Sequence, residues 1–216
     1  MKNREVILMY SILQQGGIVM YPLLFSSIIA LAIILERFFK YYGIPKEIPD
    51  NFMIAIKENI RSNKKDEALK ICNDIRNPIG KILKKGIYHL NNGVEEMYQQ
   101  MDEAKLHEFP KYERYLGLLN FIGKISPTLG LLGTVTGMIK TFHYLSLNVE
   151  AQQLAEGISE ALITTAFGLI ISIPSLSAYY YFMSKFEQMV NHTEKREIEL
   201  TNYVRKSGVS YENISS

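Results

Sequence analysis

The 216-residue chain is poor in the features that mark most soluble function classes. It has a single cysteine, Cys72, which excludes a disulfide scaffold and reads as a small buried residue in a reducing compartment. Lysine and arginine exceed aspartate and glutamate by only 24 to 22, without the basic excess that nucleic-acid binding usually needs. The four histidines, His89, His107, His143 and His192, are scattered, and none stands at metal-ligand spacing from another or from Cys72. No phosphate loop and no G-x-S-x-G occurs. Neither a metal site nor a cofactor is expected, and the chain does not read as an enzyme.

The most informative scarcity is that of charge, because it is local. Val6 to Leu35 carries none, Tyr115 to Ile139 carries only Lys124, and Ala161 to Ser184 carries none. These 79 residues hold one charge, and the other 137 hold 45. A mean hydropathy of -0.01 is therefore the sum of two unlike populations. An apolar run of about 18 residues or more crosses the roughly 30 Å of bilayer hydrocarbon as a helix. Buried helices of a soluble core are shorter and amphipathic. A cleaved signal peptide fits less well, although Lys2 and Arg4 precede the first run and Ala30-Leu31-Ala32 offers a small-residue site. The run is long, and it stays apolar through Leu35 before Arg37.

The expected fold is all-α: a membrane protein with three transmembrane helices, two of them extended into a cytoplasmic helical bundle. Its divisions are an outer N-terminal segment (1–15), a first span (16–38), a cytoplasmic helical domain (39–114), a second span (115–142), an outer loop (143–157), a third span (158–184) and a cytoplasmic C-terminal helix and tail (185–216). Lysine and arginine mark the inside. Arg37 to Arg114 holds 15 of them and the tail from Lys185 five, so the N-terminus is expected outside and both charged parts inside. Tyr41 and Tyr42 after the first span, and Tyr179 to Phe182 closing the third, suit the headgroup level.

Within the charged part, Asp50 is expected to cap a helix reaching Arg61, with Met53, Ile56 and Ile60 on one face. A second helix fits Lys65 to Ile75. Asn77-Pro78 should start a third, with Ile79, Ile82, Leu83 and Ile87 as its apolar stripe. From Val94 a helical pattern runs to Phe142, and Pro110 should kink it or mark a junction. Gly43, Pro45 and Pro49 mark a connection, an amphipathic turn of helix precedes Gly16-Gly17, and residues 207–216 read as a frayed tail.

The second and third spans are unusual. Gly130, Gly133 and Gly137 share one face of the second, bordered by Thr134 and Thr141. Thr165, Gly168, Ser172 and Ser175 recur at similar spacing in the third. Small residues let helices approach closely where lipid gives no hydrophobic drive. The hydroxyls either bond to their own backbone or form a polar surface inside the membrane. Thr134 lies about 9 Å and Thr165 about 7.5 Å from the outer ends of their helices, so the two should sit at nearly one level, with Glu160 just outward. Glu160 at a helix start is also favoured by the dipole alone. Lys124 reads as a snorkelling residue near the inner surface. No aspartate or glutamate lies deep in any span, although proton relays normally need one there, so a carrier carboxylate would belong to another chain.

ISPTLGLLGTVTGMIKTF at 125–142 and ISEALITTAFGLIISIPSLSAYY at 158–180 resemble the MotA/TolQ/ExbB proton channel family. The three-span plan is closer to the ExbB/TolQ branch than to the flagellar stators, which usually have four spans. The resemblance implies a pentamer in the bacterial inner membrane, enclosing the membrane helix of an ExbD- or TolR-like single-span partner that carries a proton-binding Asp. It implies a TonB- or TolA-like protein that carries force outward. It places pore-lining threonines at Thr134 and Thr165, a membrane glutamate at Glu160 and a matching proline at Pro174. The chain departs from the pattern at Lys124 and in having Thr164 beside Thr165, which leaves open which threonine faces the pore. The implied function is that of a proton-channel subunit coupling proton motive force to outer-membrane transport. A TolQ-like envelope role, a gliding or flagellar-type stator, and a passive membrane scaffold are the alternatives.

Overall fold

The computed structural model describes residues 16–42, 49–75, 77–146 and 151–207. All regular structure among them is helical. The helices are α1 (Met20–Tyr42), α2 (Asp50–Arg61), α3 (Lys65–Asp74), α4 (Pro78–Tyr88), α5 (Val94–Glu113), α6 (Leu116–Ser146) and α7 (Ala151–Ser207), with a 3-10 turn at Leu90–Asn92. Three stretches, Met20–Tyr42, Val94–Ser146 and Gln152–Ser207, are long and apolar enough to cross a membrane. The chain divides into two units: residues 16–36 with 115–182, and residues 37–114 with 183–207. The expected N-terminal amphipathic turn, the Gly43–Pro45 connection and the tail beyond Ser207 lie outside the described residues.

The first unit is a packing of α1, α6 and the apolar part of α7. Leu23, Ala30 and Ile33 of α1 are buried with Leu119 and Ile122 of α6 and Ile171 of α7. Much of the remaining apolar surface points outward, including Phe25, Ile28, Leu131, Leu162 and Ile173. In water this would be a large liability, whereas hydrocarbon is its natural solvent. Pro22 stands in the first turn of α1, where a missing N–H costs little.

The second unit is held by a buried cluster that includes Met53, Ile56 and Ile60 of α2, Ile79, Ile82, Leu83 and Ile87 of α4, and Met97 and Met101 of α5. The stripes expected on α2 and α4 are these buried faces. Asn77 caps α4 by accepting from the Ile79 N–H at 3.1 Å, and Pro78 supplies the first helical residue. Leu200 and Val204 of α7 close the core. Ion pairs join the same elements: Arg196 to Asp50 at 2.5 Å and to Glu199 at 2.8 Å, Lys57 to Glu199 at 2.6 Å, and Lys105 to Glu197 at 2.8 Å.

Two sequence expectations change here. Asp50 is the first helical residue rather than the cap, and its side chain goes to Arg196, which holds its carboxyl below the usual range. Pro110 does not mark the junction: α5 continues to Glu113, and the chain breaks at Arg114 (φ -45°, ψ 135°) and Tyr115 (φ 66°). Pro110 is exposed and sits in the last turn, so its lost hydrogen bond is cheap. The end of α5 is instead fixed by Arg37, which is fully buried and donates to the carbonyls of Lys111 (3.1 Å) and Tyr112 (2.7 Å). Carbonyls of a last helical turn lack helical partners, and a guanidinium fork satisfies two at once.

Candidate functional site

The candidate residues lie along the antiparallel seam between α6 and α7. Their register follows from the glycines. A Cβ on Gly130 would stand 3.0 Å from the Thr165 Cα, and one on Gly168 would stand 2.6 Å from the Ser126 carbonyl. A Cβ on Gly137 would stand 2.8 Å from the Gly157 carbonyl and 2.9 Å from the Ala161 Cβ. The side chain of Thr164 fills the place of a Cβ on Gly133. The two backbones therefore touch over several turns, as small residues allow.

Hydroxyls complete the seam. Thr165 donates to the Gly130 carbonyl at 2.9 Å, and Ser172 donates to the Gly123 carbonyl at 2.6 Å. The second contact has a specific cause. Pro127 has no N–H, so the carbonyl four residues earlier, on Gly123, has no helical donor. Ser172 supplies that donor from the neighbouring helix. Other hydroxyls bond to their own helix: Ser126 to Ile122, Thr134 to Leu131, Thr141 to Gly137 and Ser175 to Ile171.

Thr134 is half-buried and lies beside the outward-facing Leu131, Val135 and Met138. Thr165 is half-buried next to the exposed Leu162 and Leu169. Since Thr165 meets Gly130, the two hydroxyls lie within about one helical turn of each other along the seam. Thr164 is fully buried inside the protomer, donating to the carbonyls of Glu160 (2.7 Å) and Gly16 (3.0 Å). Of the adjacent pair, only Thr165 has a side of its residue open to a neighbour. Pro174 is exposed within α7, and Lys124 is exposed on α6.

Glu160 stands at the end of the seam where α6 finishes and α7 starts, and it is not alone. Lys140 of α6 reaches both of its carboxylate oxygens, at 2.7 and 2.9 Å. Gly17, with φ 66°, lies so close that a Cβ there would collide with the Glu160 carboxylate. Sequence reasoning gave neither Lys140 nor Gly17 a part in this site. Among the described residues no cluster of three His, Cys, Asp or Glu could hold a metal ion.

Residues 74–195 match the sequence pattern of the MotA/TolQ/ExbB proton channel family. The chain is 34% identical over 188 residues to an ExbB-like biopolymer transport protein of Synechocystis sp., covering 82% of this chain and 72% of that one. It is 28% identical over 181 residues to an ExbB homologue of Methanothermobacter thermautotrophicus, covering 84% of this chain and 65% of that protein's length. It is 37% identical over 99 residues to the Tol-Pal system protein TolQ of Pseudomonas aeruginosa, covering 45% of this chain and 43% of that one. In fold it resembles the solved structure of C. jejuni MotAB, with a TM-score of 0.57 and 19% identity, over 94% of this chain and 89% of that one. An integral membrane protein with three helices long enough to span, and with this pattern over more than half its length, belongs to the MotA/TolQ/ExbB proton channel family.

Proposed function

We propose that this chain is the ring-forming channel subunit of an inner-membrane complex that converts proton motive force into movement of a partner. The carrying observation is the character of the α6–α7 seam. Thr134 and Thr165 are among the hydroxyl residues that stay partly exposed along these largely apolar helices, the Glu160 carboxylate stands at one end of the seam, and no other acid lies in α6 or in 161–184 of α7. Intramembrane polar groups usually face a bundle interior or a water-filled path. In this reading the two threonines line the path, Glu160 passes protons toward it, and the acid that takes and releases them sits on a single-span, ExbD- or TolR-like partner inside a homopentamer. The N-terminus and the connection between α6 and α7 are periplasmic, and the charged unit and the C-terminus are cytoplasmic. The ExbB-like form of the reading, in which a TonB-like protein energises outer-membrane transport, is supported by the ExbB-type relatives matched over most of the chain.

The test is proton-motive-force-dependent uptake in cells that express the chain with its partner. A Thr134→Val, Thr165→Val double variant should lose uptake while still assembling, because Val keeps the shape and removes the hydroxyl. Full uptake by that variant sinks the assigned lining. Unchanged uptake when the proton gradient is collapsed leaves only a passive scaffold.

A further inference from the structure

The outer end of the seam carries a construction that packing alone does not require. Three segments meet at one carboxylate. Lys140 of α6 bonds both oxygens of Glu160 from α7, at 2.7 and 2.9 Å. Gly17, ahead of α1, lies against Glu160 as a floor: its φ is 66°, which disfavours most side chains, and a Cβ there would overlap the carboxylate unless Glu160 moved. Thr164, one turn along α7, ties the same floor down by donating to the Gly16 carbonyl at 3.0 Å. The Glu160 side chain is left 18% exposed, whereas Lys140 stays 46% exposed. Glu160 is nine residues past Ala151, where α7 starts, and the helix dipole acts only within the first turn, so the dipole does not account for a carboxylate here.

We propose that Lys140 and Gly17 form a built seat for Glu160, and that Lys140 is a positioning residue of proton conduction, acting through Glu160. This rests on the reading of Glu160 as part of the path. The ammonium fixes the carboxylate in one orientation at the outer end of the seam, one turn from Thr164 and about 140° around α7 from Thr165. Without it, the carboxylate turns into open space, and a displacement of about 1 Å in a transfer geometry costs on the order of a hundredfold. Arginine can occupy the same position as a charge and donor, whereas glutamine cannot supply the charge.

The experiment measures proton flux into membrane vesicles containing the chain with its single-span partner, together with the infrared carboxylate band assigned to Glu160 by its loss in Glu160→Gln. Lys140→Gln should lower flux by on the order of tenfold or more and shift that band, and Lys140→Arg should restore both. Gly17→Val, which leaves both charges in place and invades the seat from the other side, should produce the same loss. Oligomer size in detergent identifies any variant that fails to assemble, and Lys140→Arg and Gly17→Val then carry the test. If Glu160→Gln abolishes flux while Lys140→Gln and Gly17→Val leave flux and band unchanged, the seat is overturned and the path through Glu160 stands. If Glu160→Gln keeps full flux, the role of Glu160 falls and the seat falls with it.

Discussion

Ser172→Ala removes one hydroxyl, and the structure fixes both its cost and how that cost can be cancelled. The Ser172 Oγ–H donates at 2.6 Å to the Gly123 carbonyl, in a buried contact between α7 and α6. That carbonyl lost its helical donor to Pro127. In the Ser172→Ala variant it is left with no donor from either helix. A buried unsatisfied carbonyl costs roughly 1–3 kcal/mol. Interhelical hydrogen bonds in membranes average about 0.6 and reach about 1.7 kcal/mol. The expected destabilisation is therefore about 1–2 kcal/mol. Pro127→Ala returns an N–H to position 127, which pairs with the Gly123 carbonyl within α6. In that background Ser172→Ala should cost less than about 0.5 kcal/mol. The assay is a double-mutant cycle on denaturant unfolding of the purified protein in mixed micelles. If Ser172→Ala costs the same in both backgrounds, the proline-freed carbonyl is not why the serine is there.

Three further outcomes follow from the packing and charge of the fold. Gly137→Ala should destabilise by about 1–3 kcal/mol, since its methyl meets the Gly157 carbonyl and the Ala161 Cβ, whereas Gly117→Ala, with nothing within 4 Å, should be neutral or better in the same unfolding assay. Arg37→Met should cost about 1–3 kcal/mol by stranding the Lys111 carbonyl, the Tyr112 carbonyl keeping a donor in the Tyr41 hydroxyl at 3.2 Å, and Arg37→Lys should recover only part, because an ammonium lacks the fork. Burial raises the carboxyl of Glu197 despite its bond to Lys105, so the folded state holds that proton more tightly than the unfolded chain does. Its contribution is thus most favourable below the ordinary glutamate range and is lost as pH rises through the raised folded value. Glu108 and Glu199, both held low, act oppositely and only in more acid solution. The melting temperature of the charged unit should therefore rise as pH falls toward the ordinary glutamate range, and Glu197→Gln should flatten that slope in circular-dichroism melts.

What the sequence shows, and what it hides, divides by range. The three apolar stretches, the α4 cap at Asn77-Pro78 and the glycine face of α6 are local or periodic signals, and each lies where its spacing places it. Long-range polar choices were not legible. Arg37 follows an apolar span and reads as a positive charge on the inner side, yet it is buried against carbonyls 74 and 75 residues away. That contact also explains why α5 ends at Glu113 rather than at the proline signal. Asp50 has the sequence mark of a cap, but Arg196, 146 residues on, competes for it and wins. The Lys140–Glu160 pair spans 20 residues and two helices, and only the seam register brings it together. Register also separates the neighbouring threonines: Thr164 turns into the protomer and Thr165 toward its edge, a difference of about 100° that single-residue spacing states but cannot aim.

Between Gly123 and Gly137, the places where α6 and α7 touch admit no added methyl group without displacing a neighbour. A gap too narrow for a methyl is also too narrow for a file of water molecules, and protons cross hydrocarbon only along such files or along side chains that titrate. The single subunit is in this sense an insulator. On the proposed function, copies not yet assembled would leave the proton gradient intact, and conduction would begin only when subunits close around one another and their outward faces meet.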